Sequence, residues 1–126
     1  MEFTILGQKV TAPMRQLETF PAPELVKEVV LSSYECTSLC PVTGQPDWYT
    51  VTIRYAPRGK CLESKSLKLY LWSFREEGHF CEELSSIIAQ DVMNVLDAHW
   101  VEVSVKSTPR GGIYIESVAS RPRRSE

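Results

Sequence analysis

The sequence predicts an α+β domain of order β-β-α-α-β-β, a four-stranded antiparallel sheet with two helices on one face. Three observations carry that expectation. Two strand-like runs precede residue 58, two stretches of helical spacing fill 62 to 100, and two alternating runs follow. A polarity period of two marks a strand with one wet face, and a period near 3.6 marks a helix with one buried face.

In chain order, residues 1 to 24 hold three of the eight prolines and show little periodicity, so an irregular arm is expected there. LVKEVVLSSYE, 25 to 35, is β-branched and partly alternating. WYTVTIRYAP, 48 to 57, puts Trp48, Thr50, Thr52 and Arg54 on one side and Tyr49, Val51, Ile53 and Tyr55 on the other. Pro57 and Gly59 end that strand. LESKSLKLYLWSFRE, 62 to 76, fits both periods, but its length and its leucine and lysine content favour a helix that Gly78 stops. In 81 to 100, Leu84, Ile87, Ile88, Val92, Val95 and Leu96 recur at three- and four-residue spacing. WVEVSVKS is then a strand, TPRGG a turn and IYIESV the last strand. The basic end, 119 to 126, is expected to be a flexible tail.

A chain of 126 residues suits a single domain, 1 to 126, with enough mass for a core. A net charge of −2 and a pI near 5.7 argue against a general nucleic-acid or membrane surface. No apolar run reaches the ~18–20 residues of a membrane span, and MEFTILGQKV lacks the form of a secretory leader. The expected compartment is the cytoplasm. There Cys36, Cys40, Cys61 and Cys81 stay reduced and are available for chemistry or metal.

Cys40 is the candidate nucleophile. It lies in TSLCPVTGQPD, 37 to 47, where Pro41, Gly44 and Pro46 make an irregular turn and Thr37, Ser38 and Thr43 offer donors to a thiolate. Asp47 suits a proton donor, since its charge would oppose thiol ionisation. A buried, inert thiol is the alternative for Cys40. Zinc is a competing use of Cys36, Cys40, His79 and Cys81, but their spacing is loose for a structural site. Lys65 and Lys68 share a helix face, with Ser64 and Ser66 beside them and Arg75 further on; that set could hold a phosphate or form a solvated face. No glycine-rich dinucleotide loop is present. Glu82 either complements a helix dipole or accepts two hydrogen bonds from an amidine-like base edge.

ESKSLKLYL at 63 to 71, TSLCPVTGQPD at 37 to 47 and STPRGGIYIE at 107 to 116 together resemble the QueF family. These are NADPH-dependent nitrile reductases that convert 7-cyano-7-deazaguanine to 7-aminomethyl-7-deazaguanine for queuosine, a tRNA modification. The similarity runs from about residue 30 to 118 and matches the short, single-module type. It implies that Cys40 forms a covalent thioimide with the nitrile and that Asp47 supplies the proton. It implies that Glu82, with Cys81 beside it, holds the substrate. Ser64, Lys65, Ser66 and Lys68 would take NADPH, and Arg110 would contribute to its phosphates. The implied fold is the tunnelling fold, built into homo-oligomeric rings with sites at subunit interfaces, and the implied ligands include no resident metal. Cys81 departs from the family, which has histidine there, so a Cys40–Cys81 disulfide becomes conceivable. Two other activities share this fold: a zinc-dependent cyclohydrolase-like reaction and an amidine-forming transfer to a deazaguanine nitrile.

Overall fold

The computed structural model describes residues 13–123. Strand β1 is Thr19–Pro21, β2 Val29–Leu39, β3 Pro46–Ala56 and β4 Lys60–Leu62. Helices α1, Ser64–Trp72, and α2, Cys81–Leu96, follow, then β5, Trp100–Ser107, and β6, Glu116–Pro122. The main sheet runs β2-β3-β5-β6 and is antiparallel throughout. The expected order and layers are therefore present, with two short strands added.

Those additions correct the expectation of an irregular arm over 1 to 24. Residues 1–12 lie outside the described residues, but Thr19–Pro21 pairs with Lys60–Leu62, and Phe20 packs against the core opposite Cys61. Three residues are too few for any period to show, so the pairing was invisible in the sequence. The expected flexible tail is also corrected. Ala119 pairs with Val103 and Arg121 with Val101, and Arg123 N–H donates to the His99 carbonyl at 2.9 Å. Alternation continues because Ala119 packs against the core; residues 124–126 are outside the described range.

The core lies between one sheet face and the helices. Tyr49, Val51, Ile53 and Tyr55 of β3 and Val101, Val103 and Val105 of β5 meet Leu84, Ile88, Val92 and Leu96 of α2. Each fully buried aliphatic side chain of this set contributes roughly 1.5–3 kcal/mol. Both helices are shorter than their apolar patterns. Glu63 caps α1, its two carboxylate oxygens accepting the Lys65 and Ser66 N–H groups, both at 2.7 Å. Such a cap is worth about 1 kcal/mol. Asp97 ends α2 in the left-handed region, φ 46°, with Arg58 and Arg123 on its carboxylate. That frees the chain to start β5 at Trp100.

Candidate active site

The site begins with an irregularity in β2. Ser33 pairs with Val51 but Cys36 pairs with Tyr49, so Tyr34 and Glu35 together oppose Thr50. This bulge reverses the alternation of β2. Leu31 and Ser33 are inward before it, and Cys36 and Ser38 after it. The strand then runs to Leu39, four residues beyond its expected end, and Cys40 is the first residue of the turn. Cys40 N–H donates to the Gln45 carbonyl and Gly44 N–H to the Cys40 carbonyl, both at 2.8 Å. Gly44 takes φ 73°, a conformation that a side chain would strain. The connector between the helices staples the turn from behind, because Leu39 N–H donates to the Glu77 carbonyl and His79 N–H to the Leu39 carbonyl.

Cys40 is partly exposed, and its thiol is pulled below the usual range by hydrogen bonds from the Thr43 hydroxyl and the Thr43 and Val42 N–H groups. The Asp47 charge opposes that pull without overcoming it. Burial does the reverse elsewhere: the Cys36 thiol is pushed up to about 12, and that of Cys81 is also raised. Asp47 enters β3 opposite Ser38, so it shares the end of the sheet with Cys40. Its Oδ1 lies 3.0 Å from Arg110 Nη2 and its Oδ2 lies 3.5 Å from the Tyr49 hydroxyl. Arg110 therefore does not stand free for a phosphate: its guanidinium also donates to the Pro46 carbonyl. The turn that carries it closes through Gly111 and Gly112, both at positive φ.

A cleft of about 750 Å³ opens between bulged β2 and α1. Leu31, Val51, Leu67 and Leu71 give it an apolar floor and Trp48 and Trp72 flank it; α1 and the segment after it add Ser64, Lys68 and Arg75, and β2 adds hydroxyls and the Glu35 carboxylate. Thr37 and Trp48 form its end nearest Cys40, one residue pair from Ser38 and Asp47. The expected phosphate block thus divides. Ser64 and Lys68 line the cleft; Lys65 does not. Ser66 is fully buried, donating to the Glu63 carbonyl and accepting from Glu18 N–H, so it builds the helix entrance and is closed to a ligand. The acid ahead of the helix was the overlooked signal for that cap.

At the start of α2, Glu82 is exposed and Cys81 is 4% exposed. The Cys81 thiol donates to the Val105 carbonyl at 3.2 Å, and all four cysteines are free. Cys81 therefore directs its thiol at the sheet. Among the described residues, no group of three or more His, Cys, Asp or Glu side chains is placed to hold a metal ion.

His79 has an unforeseen role. Its Nε2 is 2.8 Å from Glu77 Oε1 and its Nδ1 is 2.5 Å from Glu83 Oε1. Burial alone would lower its pKa, but the two carboxylates prevail and raise it. The sign follows directly. A raised folded pKa stabilises fully below the unfolded value, ~6.5, and the gain fades as pH rises through the folded value. His79→Gln should therefore melt below the wild type near pH ~5.5 and converge with it at alkaline pH. Equal deficits at both pH values would remove the ionic contribution.

Known proteins similar to this chain share a family and a fold. Residues 46–126 match the family described as QueF-like protein. A protein named NADPH-dependent 7-cyano-7-deazaguanine reductase from an Anaeromyxobacter species is 46% identical over 106 residues, 82% of this chain and 87% of its own. One of the same name from Frankia casuarinae is 43% identical over 123 residues, 98% of each chain. Another, from Staphylococcus epidermidis, is 51% identical over 102 residues, 79% of this chain and 61% of that protein. The crystal structure of the archaeosine synthase QueF-Like in the apo form superposes with a TM-score of 0.72 at 29% identity, over 77% of this chain and 95% of that one. With this sheet order, these helices and these similarities, the chain belongs to the QueF-like family and has its tunnelling fold.

Proposed function

We propose that this protein is an NADPH-dependent reductase of 7-cyano-7-deazaguanine, acting in the cytoplasm on the route to queuosine. The observation that carries the reading is Cys40, a partly exposed thiol with a lowered pKa in a turn shared with Asp47. A thiol of that kind adds to an electrophilic carbon, whereas the buried Cys36 and Cys81 are quenched.

Cys40 Sγ adds to the nitrile carbon, and the nitrogen takes up one proton as the thiol loses one. Asp47 carries that proton, leaving a neutral thioimide. Bound NADPH would supply two hydrides, each matched by one proton, so that the thioimide goes to an imine with return of the Cys40 thiol and then to the amine. The chain's own groups position that sequence. The apolar floor of the cleft excludes water, and Lys68, Ser64 and Arg75 suit a phosphorylated dinucleotide at its rim. Arg110 would join them only by leaving Asp47. Glu82, exposed on the first turn of α2, accepts the deazaguanine edge.

Assembly suits this activity too. Strands β2 and β6 form the outer edges of the main sheet, and Ile113, Tyr114 and Ile115 are exposed beside β6. Copies meeting along such edges would form a ring and bring Glu82 of one subunit towards the cleft of another.

The test is oxidation of NADPH on adding the nitrile, with two equivalents consumed per amine formed; no nitrile-dependent oxidation would overturn the assignment. In the same assay, Lys68→Ala should raise the KM for NADPH roughly tenfold, the scale of one charged phosphate contact, while adduct formation without NADPH keeps its rate. Unchanged NADPH kinetics would return Lys68 to a solvated face.

A further inference from the structure

A buried hydroxyl lies in the core beside the site. Tyr49 belongs to the inward face of β3 and is 4% exposed, packed among core residues that are otherwise largely apolar. Phenylalanine would fill that volume without the cost of burying a hydroxyl, which needs a partner when it leaves water. The partner is Asp47, whose Oδ2 is 3.5 Å away. Beside the same hydroxyl lies Ser38, directly opposite Asp47 in the ladder. Ser38 is 0% exposed, and its Oγ makes no hydrogen bond of good geometry among the described residues. One buried hydroxyl thus meets one oxygen of the carboxylate with a second hydroxyl behind it, while the other carboxylate oxygen faces Arg110.

We infer that Tyr49 is a positioning residue for the nitrile addition: its hydroxyl, backed by Ser38, fixes the carboxyl plane of Asp47 for proton transfer beside Cys40. The inference rests on the proposed function for its reaction but not for its geometry. Asp47 must serve in two forms, with and without the carried proton. A carboxylate accepts only, whereas a carboxylic acid also donates. Tyr49 can match both states by rotation of its hydroxyl. It donates to Asp47 while the carboxylate is ionised, and turns its proton to Ser38 to hold a protonated Asp47 at rest until that proton moves to the nitrile nitrogen. The unpartnered Ser38 oxygen is the acceptor that the second state requires. Burial, foremost, together with the Asp47 and Cys81 charges, pushes the Tyr49 hydroxyl up to about 12, so it keeps its proton and acts as a neutral guide. Arg110 holds the other side of the same carboxylate and Cys81 lies close enough to be felt, so the guide works within a charged cluster.

Tyr49→Phe keeps the ring and removes only the hydroxyl. Intact-mass kinetics without NADPH should show the Cys40 adduct forming about tenfold more slowly, the scale of one hydrogen bond to a charged group. Nitrile affinity, measured in a Cys40→Ala background, should not change. An independent reading of the geometry comes from infrared difference spectra of protein labelled with ¹³C at aspartate carboxyls. Tyr49→Phe should displace one carboxylate band, and an Asp47→Asn background should abolish that displacement. Loss of nitrile affinity along with rate would mark a packing role and overturn the inference, as would an unchanged adduct rate. An unmoved carboxylate band would also overturn it, whatever the nitrile chemistry proves to be. Absence of any adduct in wild type, with the band displacement present, would instead fail the proposed reaction and leave the positioning contact standing.

Discussion

Cys40→Ala abolishes turnover and abolishes the covalent adduct, while most non-covalent nitrile binding survives. This is the largest effect expected of any single change, because the variant loses the thiol that hydrogen bonds from Thr43 and Val42 pull towards ionisation. Neither of the thiols raised by burial can replace it. Cys36 is 1% exposed with its thiol directed at the Leu71 carbonyl, and Cys81 points its own at Val105. The turn itself should persist, since its hydrogen bonds come from the backbone of Cys40, Gly44 and Gln45. Intact-mass spectrometry after nitrile addition separates the outcomes: an adduct that remains in the variant would take the nucleophile role from Cys40.

Asp47→Asn is expected to bind the nitrile and form the thioimide slowly, by ~10²–10⁴-fold, the usual worth of a positioned acid or base. The amide keeps the shape of the carboxyl but cannot carry the thiol proton to the nitrogen. Removal of the carboxylate also unpairs Arg110, a cation that is about half exposed, and an exposed pair of this kind is worth ~0–1 kcal/mol. Folding should therefore be nearly unchanged, and the loss should fall on the rate. Stopped-time mass spectra at a series of nitrile concentrations give that rate; wild-type kinetics in the variant would place the proton carrier elsewhere.

How much of this was legible in the sequence depends on the length over which a pattern repeats. The inward set Tyr49, Val51, Ile53 and Tyr55 and the α2 stripe from Leu84 to Leu96 were readable, since each repeats often enough to fix its face. The composition of the turn singled out Cys40 and Asp47, the family resemblance gave them their roles, and the register of β2 against β3 brings their ends together. The reach of β2 was hidden because Tyr34 and Glu35 break its alternation midway. Ser66 was misjudged because a serine between two lysines looks solvated, whereas the Glu63 cap and Glu18 fix it in the interior. Arg110 and Asp47 lie sixty-three positions apart, 110 − 47, in two turns at one end of the sheet, and no local pattern reports such a meeting. Tyr49 was assigned to the right face as an apolar residue; its hydroxyl acquires meaning only beside Asp47 and Ser38.

The doubled residue in β2 acts as a change of phase. Upstream of Tyr34, odd numbers face the helices; downstream of Glu35, even numbers do, and the nucleophile carries an even number. Deleting either residue would set a single residue against Thr50 and leave Ser33 on Val51 and Cys36 on Tyr49, so the faces from Cys36 onward would be kept and only the local kink lost. A residue removed between Cys36 and Cys40 has no such slack to take up, and its loss would turn the side chains beyond it, the nucleophile among them, to the opposite face.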